Sequence, residues 1–200
     1  MKNIYQEDEL TGEKSLEIIH QMINKAKANI TDNGVGWLLW GTMIFLASLC
    51  TFFLIEFDQP NVFIGWNIFG IISMLLLLFG LFKKKKLAVR TYVDDVLRYV
   101  DIAFTVCLFI IIFSINVATG PNSGFGYFLM LYGFLMLVQG GVMKFKPLLI
   151  GAVVNWIGAI GIFINTNFKY DMLITAAAVL IGYIIPGLLL HFQSKKKLNA

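Results

Sequence analysis

The chain has 200 residues, of which 58% are hydrophobic and only 14% are charged. Because soluble domains carry about a quarter charged residues, this composition excludes an ordinary soluble domain. The net charge of +4 comes from basic residues in short clusters beside apolar stretches, which is not the pattern of a nucleic-acid-binding surface. We therefore expect an all-α, polytopic membrane protein.

The first element is an N-terminal segment, residues 1–33, which we expect to lie in the cytoplasm. Its first 30 residues contain no apolar stretch of the kind found in secretory signals. Apolar residues recur there at three- and four-residue spacing, which predicts an amphipathic helix. This helix can lie among lipid headgroups, pack under the bundle or meet a protein partner. Its apolar face, the candidate interface, comprises Leu16, Ile19, Met22, Ile23, Ala26 and Ile30.

Six long apolar stretches follow within residues 34–192, and each approaches the roughly 20 residues that a helix needs to cross a bilayer. No charged residue occurs from Ile102 to Met143, a run of about two spans that is interrupted at Thr119-Gly120-Pro121. A helical hairpin is therefore predicted there. The predicted spans are residues 35–55, 62–82, 102–118, 125–143, 148–165 and 172–192, followed by a basic tail, residues 193–200.

The basic residues predict the orientation of the spans. Of the 16 Lys and Arg residues, 15 fall on one side of the six spans, and Lys169 is the exception. The positive-inside rule then places both termini in the cytoplasm. The largest cluster is expected to contact anionic lipid headgroups, at about 1 kcal/mol per basic residue. It consists of Lys83, Lys84, Lys85, Lys86 and Arg90.

Short correspondences relate the two halves of the chain. Gly34-Val35-Gly36-Trp37 resembles Gly124-Phe125-Gly126-Tyr127, and Asn67 in the second span corresponds to Asn155 in the fifth. Because the paired spans run in opposite directions, the pattern is that of a three-plus-three inverted repeat, an architecture of many secondary transporters. The alternative is a chance match, since glycine, asparagine and aromatic residues are common in membrane helices.

Four amide side chains lie within the predicted spans, and they are the candidate intramembrane polar site. An amide that faces lipid leaves donors and acceptors unpaired, so these groups should face the bundle interior or a wet cavity. Hydrogen bonds between helices are one interpretation. The other is a binding site, with the two corresponding asparagines lining one cavity. The four are Asn67, Asn116, Gln139 and Asn155.

No acidic or basic residue lies deep in any predicted span, so a proton relay has no obvious candidate. The two histidines are far apart and have no metal-ligand spacing, and no nucleophile motif surrounds the hydroxyl groups. We therefore expect no enzymatic activity, no cofactor and no metal. Glycines at seven-residue spacing, Gly126, Gly133 and Gly140, predict close packing of the fourth and fifth spans, and Pro186 predicts a kink in the sixth.

Three segments carry a resemblance to a known group of proteins. They are Ser15-Leu16-Glu17-Ile18-Ile19-His20-Gln21-Met22-Ile23-Asn24-Lys25-Ala26-Lys27, Gly36-Trp37-Leu38-Leu39-Trp40-Gly41 and Thr91-Tyr92-Val93-Asp94. In these the chain resembles a family of uncharacterised multi-span inner-membrane proteins of Bacteroidota. The resemblance implies a bacterial cytoplasmic membrane and no particular activity.

Two functions are compatible with these patterns. The first is a non-enzymatic structural or regulatory module whose cytoplasmic helices engage anionic lipid, a protein partner or a second copy of the chain, and not nucleic acid. The alternative is a small-solute transporter or channel built on the inverted repeat, with Asn67 and Asn155 in its cavity.

Overall fold

A computed structural model of the chain describes residues 34–82 and 92–198, and all of its regular elements are helices. Two π-helical turns, Ile115–Thr119 and Leu180–Ile184, extend α3 and join α6 to α7. The all-α polytopic fold class is thereby confirmed. The α-helices are α1 (Val35–Glu56), α2 (Ile64–Phe82), α3 (Tyr92–Ser114), α4 (Pro121–Val142), α5 (Lys146–Ile164), α6 (Phe168–Val179) and α7 (Ile185–Leu198).

The lengths of these helices match a bilayer. Five segments are long and apolar enough to cross it. Helix α2 is a sixth helix, of 19 residues, and its apolar stretch is Ile64–Leu76. Nineteen residues at 1.5 Å each cover about 28 Å, close to the hydrocarbon thickness. The chain is therefore an integral membrane protein. The five segments are Val35–Glu56, Val96–Val117, Gly124–Val142, Lys146–Ile164 and Phe168–Lys195.

Two helices begin earlier than hydropathy predicts. The third span was expected from residue 102, but α3 begins at Tyr92 and so includes Asp101. The sixth was expected from residue 172, but α6 begins at Phe168 and includes Asp171. The Asn167 side chain accepts a hydrogen bond from the backbone N–H of Lys169 at 3.1 Å and caps this helix. Capping chemistry, rather than the loss of apolar residues, sets this boundary.

Several predicted features fall outside the described residues. These are the N-terminal segment 1–33 with its amphipathic helix, and the basic cluster Lys83–Lys86 with Arg90. The predicted basic tail begins inside α7, which continues to Leu198.

The helices are arranged in an open curve. Going round it, α2 packs on α1, α1 on α6, α6 on α4, and α4 on α3. Within residues 34–82 and 92–198, no Cα atom of α2 lies within 8 Å of a Cα atom of α3. The curve is therefore open between these two helices, while α5 packs behind it against α4, α6 and α7.

Close packing of α4 against α5 confirms the prediction from the seven-residue glycine spacing. A Cβ atom on Gly126 would collide with the Phe163 ring, and one on Gly133 with the Trp156 indole. In lipid, where hydrophobic burial does not drive helices together, such small residues allow the backbones to approach. The two helices therefore form a tight hairpin.

The seam between α1 and α6–α7 fixes which ends of the helices meet. The absent Cβ of Gly41 would touch Tyr183 and Ile184, Gly34 lies beside Gly187, and Lys169 forms an ion pair with Glu56. Helix α1 and the segment from α6 to α7 are therefore antiparallel. We call the end with Gly34, Lys144 and Lys195 the basic end, and the end with Glu56, Asp58 and Asp171 the acidic end. The buried stripe of α1 in this seam has alternating spacings of four and three residues: Trp37, Gly41, Ile44, Ser48 and Thr51.

The sixth membrane-spanning segment, which consists of α6, the second π turn and α7, is interrupted next to Pro186. Proline has no N–H to donate to the carbonyl four residues earlier, that of Gly182. The second π turn, Leu180–Ile184, ends two residues before Pro186, so the irregular backbone hydrogen bonding lies next to the proline. The structure thus has a π turn close to Pro186, and the kink itself stays a prediction.

The neighbours agree only in part with the predicted inverted repeat, in which α1–α3 would correspond to α4–α6: α4 packs on α6, whereas the corresponding pair, α1 and α3, does not pack over the described residues. If α1–α3 correspond to α4–α6, then α1 on α2 corresponds to α4 on α5, and α1 on α6 to α4 on α3; all four contacts exist. The pair α5 and α6 is packed, whereas its counterpart, α2 and α3, is apart over the described residues. The gap between α2 and α3 thus corresponds to a contact that is present in the second half of the chain.

We expect Gly133→Leu to destabilise the protein by about 1–3 kcal/mol, because the new side chain overpacks the α4–α5 hairpin at Trp156. Thermal unfolding in lipid nanodiscs measures this. Gly141→Leu is the matched control, since a Cβ atom there meets nothing within 4 Å. Equal stability of the two variants would contradict the packing described here.

Candidate functional site

A large cleft occupies the inside of the curve of helices. Its volume is about 1210 Å³, and α1, α2, α3, α4 and α6 all contribute to its wall, whereas α5 contributes none of the lining residues. Drug-sized ligands occupy sites of roughly 300–1,000 Å³. The wall is mostly apolar and rich in aromatic side chains, among them Trp40, Trp66, Phe69, Phe104, Tyr132 and Tyr183.

The cleft opens sideways between α2 and α3. These helices supply two facing walls, with Phe69 and Ser73 on one and Phe104, Leu108 and Ile112 on the other. Since the described parts of the two helices do not pack together, the opening lies along the membrane-spanning length of the bundle. Among the described helices that line the cleft, α2 and α3 are therefore the neighbouring pair that is not packed together.

The back wall of the cleft is a cluster of rings. Tyr132 of α4 lies with its ring centroid 5.4 Å from that of Phe104 and 5.9 Å from that of Tyr183. Near the acidic end the Trp66 and Phe125 rings are 4.8 Å apart. These contacts join four helices through large apolar surfaces that the cleft leaves partly open.

Three of the four candidate amides line this cleft, namely Asn67, Asn116 and Gln139. Asn155 does not, because it lies on α5 behind the wall and is fully buried. Its side-chain nitrogen donates to the Gly151 carbonyl at 2.9 Å and contacts the Met136 sulfur at 3.4 Å. The cavity expected to be shared by Asn67 and Asn155 is therefore not formed, and Asn155 has a packing environment instead.

The polar groups of the cleft are divided between its two ends. Towards the basic end, the Gln139 amide donates to an Asp101 carboxylate oxygen at 3.0 Å and joins α4 to α3. Asn67 and Asn116 lie towards the acidic end, and the Asn116 amide donates to the Ile112 carbonyl of its own helix at 2.7 Å. The middle of the cleft is dominated by apolar side chains. An occupant with a long apolar part and polar termini matches this distribution.

The hydroxyl groups in the wall have a restricted hydrogen-bonding role. Ser73 donates to the Phe69 carbonyl at 2.6 Å, and Thr105 donates to the Asp101 carbonyl at 2.8 Å. Both protons are thus bonded within their own helices, as is common for hydroxyl groups in helices. What these groups can offer an occupant is an acceptor oxygen.

A second polar group lies in the seam between α1 and α6, and of its four members only Thr175 also lines the cleft. Ser48, Thr51, Asp171 and Thr175 have exposures of 0, 0, 0 and 2%. One Asp171 carboxylate oxygen accepts from the Asn165 amide at 2.7 Å, and the other has no hydrogen-bond partner. The Thr51 hydroxyl oxygen is likewise buried without a partner. None of these four residues was predicted as a site residue, although Asn167 as a helix cap would have placed Asp171 inside α6.

An ionised carboxylate at Asp171 would be costly. Burial of a carboxylate costs several kcal/mol per ion, whereas the N-terminus of a helix returns only about 0.3–1 kcal/mol. The nearest lysine along the chain, Lys169, is already paired with Glu56 at the more exposed rim of the seam. Desolvation therefore dominates at this carboxyl group.

Comparison of the chain with models of protein families, with curated proteins and with solved structures finds no match. Among the residues that the structure describes, no group of three or more His, Cys, Asp or Glu side chains could hold a metal ion. The cleft and the buried seam are thus the two features on which a function can be argued.

We expect Gln139→Leu to loosen α3, because its amide bond to Asp101 ties α3 to α4 and a net hydrogen bond contributes about 0.5–1.5 kcal/mol. Hydrogen exchange of α3 amides should rise measurably. Asn116→Leu is the control: its bond lies within α3, so exchange should stay near that of the wild type. A similar rise in both variants would argue against the cross-helix role of Gln139.

Proposed function

We propose that this protein is a non-enzymatic integral membrane protein that binds an amphipathic lipid of the bilayer, with an acyl chain in the cleft. The observation that carries the proposal is the apolar cleft of about 1210 Å³ together with its side opening between α2 and α3. This deepens the transporter alternative: the ligand class becomes a lipid instead of a small polar solute.

The surface chemistry of the wall favours an acyl chain. A small polar solute needs several converging donors and acceptors to replace its lost water. The middle of this cleft offers mainly aromatic and aliphatic side chains, and the hydroxyl protons of Ser73, Thr105 and Thr175 are bonded within their own helices. Burial of apolar surface from water contributes about 25 cal/mol per Å². A lipid tail gains little of this free energy on entering the cleft, because the bilayer already surrounds it with apolar groups. Selectivity for one lipid must therefore come from packing against the rings and from the polar ends of the cleft.

The polar ends fit the two ends of such a lipid differently. The pair Asp101 and Gln139 combines a carboxylate with an amide at the basic end. We assign the lipid headgroup to this end, because exposed basic side chains lie there and can pair with its phosphate, namely Arg98, Lys144, Lys146 and Lys195. Asn67 and Asn116, at the other end, can bond water that enters from that side.

We place the protein in a bacterial cytoplasmic membrane with its basic end in the cytoplasm, by the positive-inside rule. Four exposed basic residues at that end support this orientation and are available to anionic headgroups: Arg98, Lys144, Lys146 and Lys195. The predicted contacts of Lys83–Lys86 and Arg90 extend the same surface. A partner for the N-terminal amphipathic helix, or a second copy of the chain, stays a prediction.

The test is photo-crosslinking with a phospholipid that carries a diazirine in its acyl chain, in nanodiscs made with the full-length protein. Lipids around the bundle reach its outer face, but Tyr132 and Tyr183 are under 10% exposed and are approached from the cleft. We expect crosslinks to these two tyrosines. Crosslinks confined to outer residues of α5, such as Ile157 and Ile160, would refute the proposal.

Gly70→Phe should abolish most of this crosslinking, because Gly70 lines the cleft and a Cβ atom there meets nothing within 4 Å. A tenfold loss corresponds to about 1.4 kcal/mol. Gly141→Phe is the matched control, since Gly141 is equally open but does not line the cleft. Its crosslinking should equal that of the wild type, and an equal loss in both variants would count against lipid in the cleft.

A further inference from the structure

We propose that the cleft selects a phospholipid whose headgroup ends in a primary ammonium, and that the Asp101 carboxylate binds this ammonium. The inference rests on the proposed function, because it names the headgroup of the lipid whose acyl chain lies in the cleft. The residues that carry it are at the basic end of the cleft: Asp101, Phe104, Thr105 and Gln139 in the lining, and Arg98 one helix turn before Asp101.

The charge of the lining is concentrated at one residue. Among the described residues that line the cleft, Asp101 is the only one with a charged side chain. It is exposed, so its carboxylate avoids much of the desolvation cost of a buried ion. A carboxylate attracts an ammonium group and repels a second anion. Asp101 therefore distinguishes between headgroups that carry the same phosphate, and it favours those with an added positive charge.

The polar atoms around Asp101 are mostly acceptors. The Gln139 amide donates to one carboxylate oxygen at 3.0 Å, and the Thr105 hydroxyl donates its proton to the Asp101 carbonyl at 2.8 Å. A carboxylate has about four acceptor positions, so it can accept from a further donor beside Gln139, and the Thr105 oxygen keeps acceptor capacity. A primary ammonium has only donors to offer, which match these oxygens. A trimethylammonium has no N–H group and matches them less well.

An aromatic ring lies within one helix turn of this carboxylate. Phe104 follows Asp101 by three residues, and residues at this spacing are neighbours on a helix surface. Both residues line the cleft, and the Phe104 ring centroid is 5.4 Å from that of Tyr132. Because the face of an aromatic ring attracts cations, Phe104 adds to the attraction of this end for an ammonium.

The phosphate of the same headgroup has a partner on the neighbouring turn of α3. Arg98 precedes Asp101 by three residues, and its side chain is exposed. Since α3 begins at the basic end, Arg98 lies about 4.5 Å nearer to that end than Asp101. A guanidinium group binds phosphate through paired hydrogen bonds. A headgroup with a phosphate and an ammonium on a short linker therefore meets a cation and an anion side by side.

The depth of Asp101 suits a headgroup. It lies near the start of the membrane-spanning segment Val96–Val117, and its hydrogen bond places it level with Gln139, near the end of the segment Gly124–Val142. The ends of membrane spans lie where the headgroups meet the hydrocarbon core. An acyl chain that runs from there into the cleft keeps its polar end at the membrane surface.

The test compares three phospholipids that have the same diazirine-bearing acyl chain and differ only in the headgroup, which is ethanolamine, choline or glycerol. Each is a trace component of otherwise identical nanodiscs with the full-length protein. We expect the ethanolamine lipid to crosslink to Tyr132 and Tyr183 about fivefold more than the glycerol lipid, and more than the choline lipid. Equal crosslinking by the three lipids, or by the first two, overturns the headgroup assignment and leaves the proposed function standing. Absence of these crosslinks with all three overturns both.

Asp101→Asn tests the residue itself, because asparagine removes the charge and keeps an acceptor for Gln139. The preference for the ethanolamine lipid over the glycerol lipid should be lost. This preference is a ratio measured within one variant, so poor folding, which lowers both signals, does not imitate the loss.

Asp58→Asn is the matched control. It makes the same change of charge at an exposed residue of the acidic end that does not line the cleft, and asparagine tolerates the positive φ of 49° at this position. Its preference should equal that of the wild type. A preference retained in Asp101→Asn, or lost equally in both variants, overturns the role of Asp101.

Discussion

Close approach of helix backbones is the constraint on which the architecture depends. Lipid tails are as apolar as the helix surfaces, so burial alone does not decide which helices pack together. Small residues decide it. Glycines allow α4 and α5 to approach closely, and Gly41 and Gly34 allow α1 to approach the second π turn and α7. By contrast, α3 and its π turn contain no glycine, and they pack only on α4 among the described helices. The gap between α2 and α3 is the consequence.

The gap accounts for the character of the cleft. Five helices surround it, but the aromatic rings of Trp66, Phe104 and Tyr132 span only part of the space between them. A dry void of this size would forfeit the dispersion contacts of its whole lining, which is unfavourable in a membrane as in water. Occupation by the molecules at hand, which are lipids, restores these contacts. The proposed function therefore follows from the same packing that leaves the cleft open.

Polar residues have two separate roles in this bundle. Asn155 and Ser48 bond to backbone carbonyls of their own helices and help to fill close contacts. The side-chain oxygen of Asn155, one carboxylate oxygen of Asp171 and the Thr51 hydroxyl are nevertheless buried without partners, although burial of an unsatisfied polar group costs about 1–3 kcal/mol. The acidic end combines an ion pair, Glu56 with Lys169, and a buried carboxyl group, that of Asp171.

The sequence by itself determined the helical class, the integral membrane character and the α4–α5 hairpin, because hydrophobic length and glycine spacing act locally along a helix. It also identified Asn67, Asn116 and Gln139 as polar residues of the spans. Only the tertiary structure separated Asn67 from Asn155, since helix neighbours are chosen by contacts distant in sequence. It likewise placed Asp171 inside the bundle, because the cap at Asn167 starts α6 before this residue and the packed helices bury it.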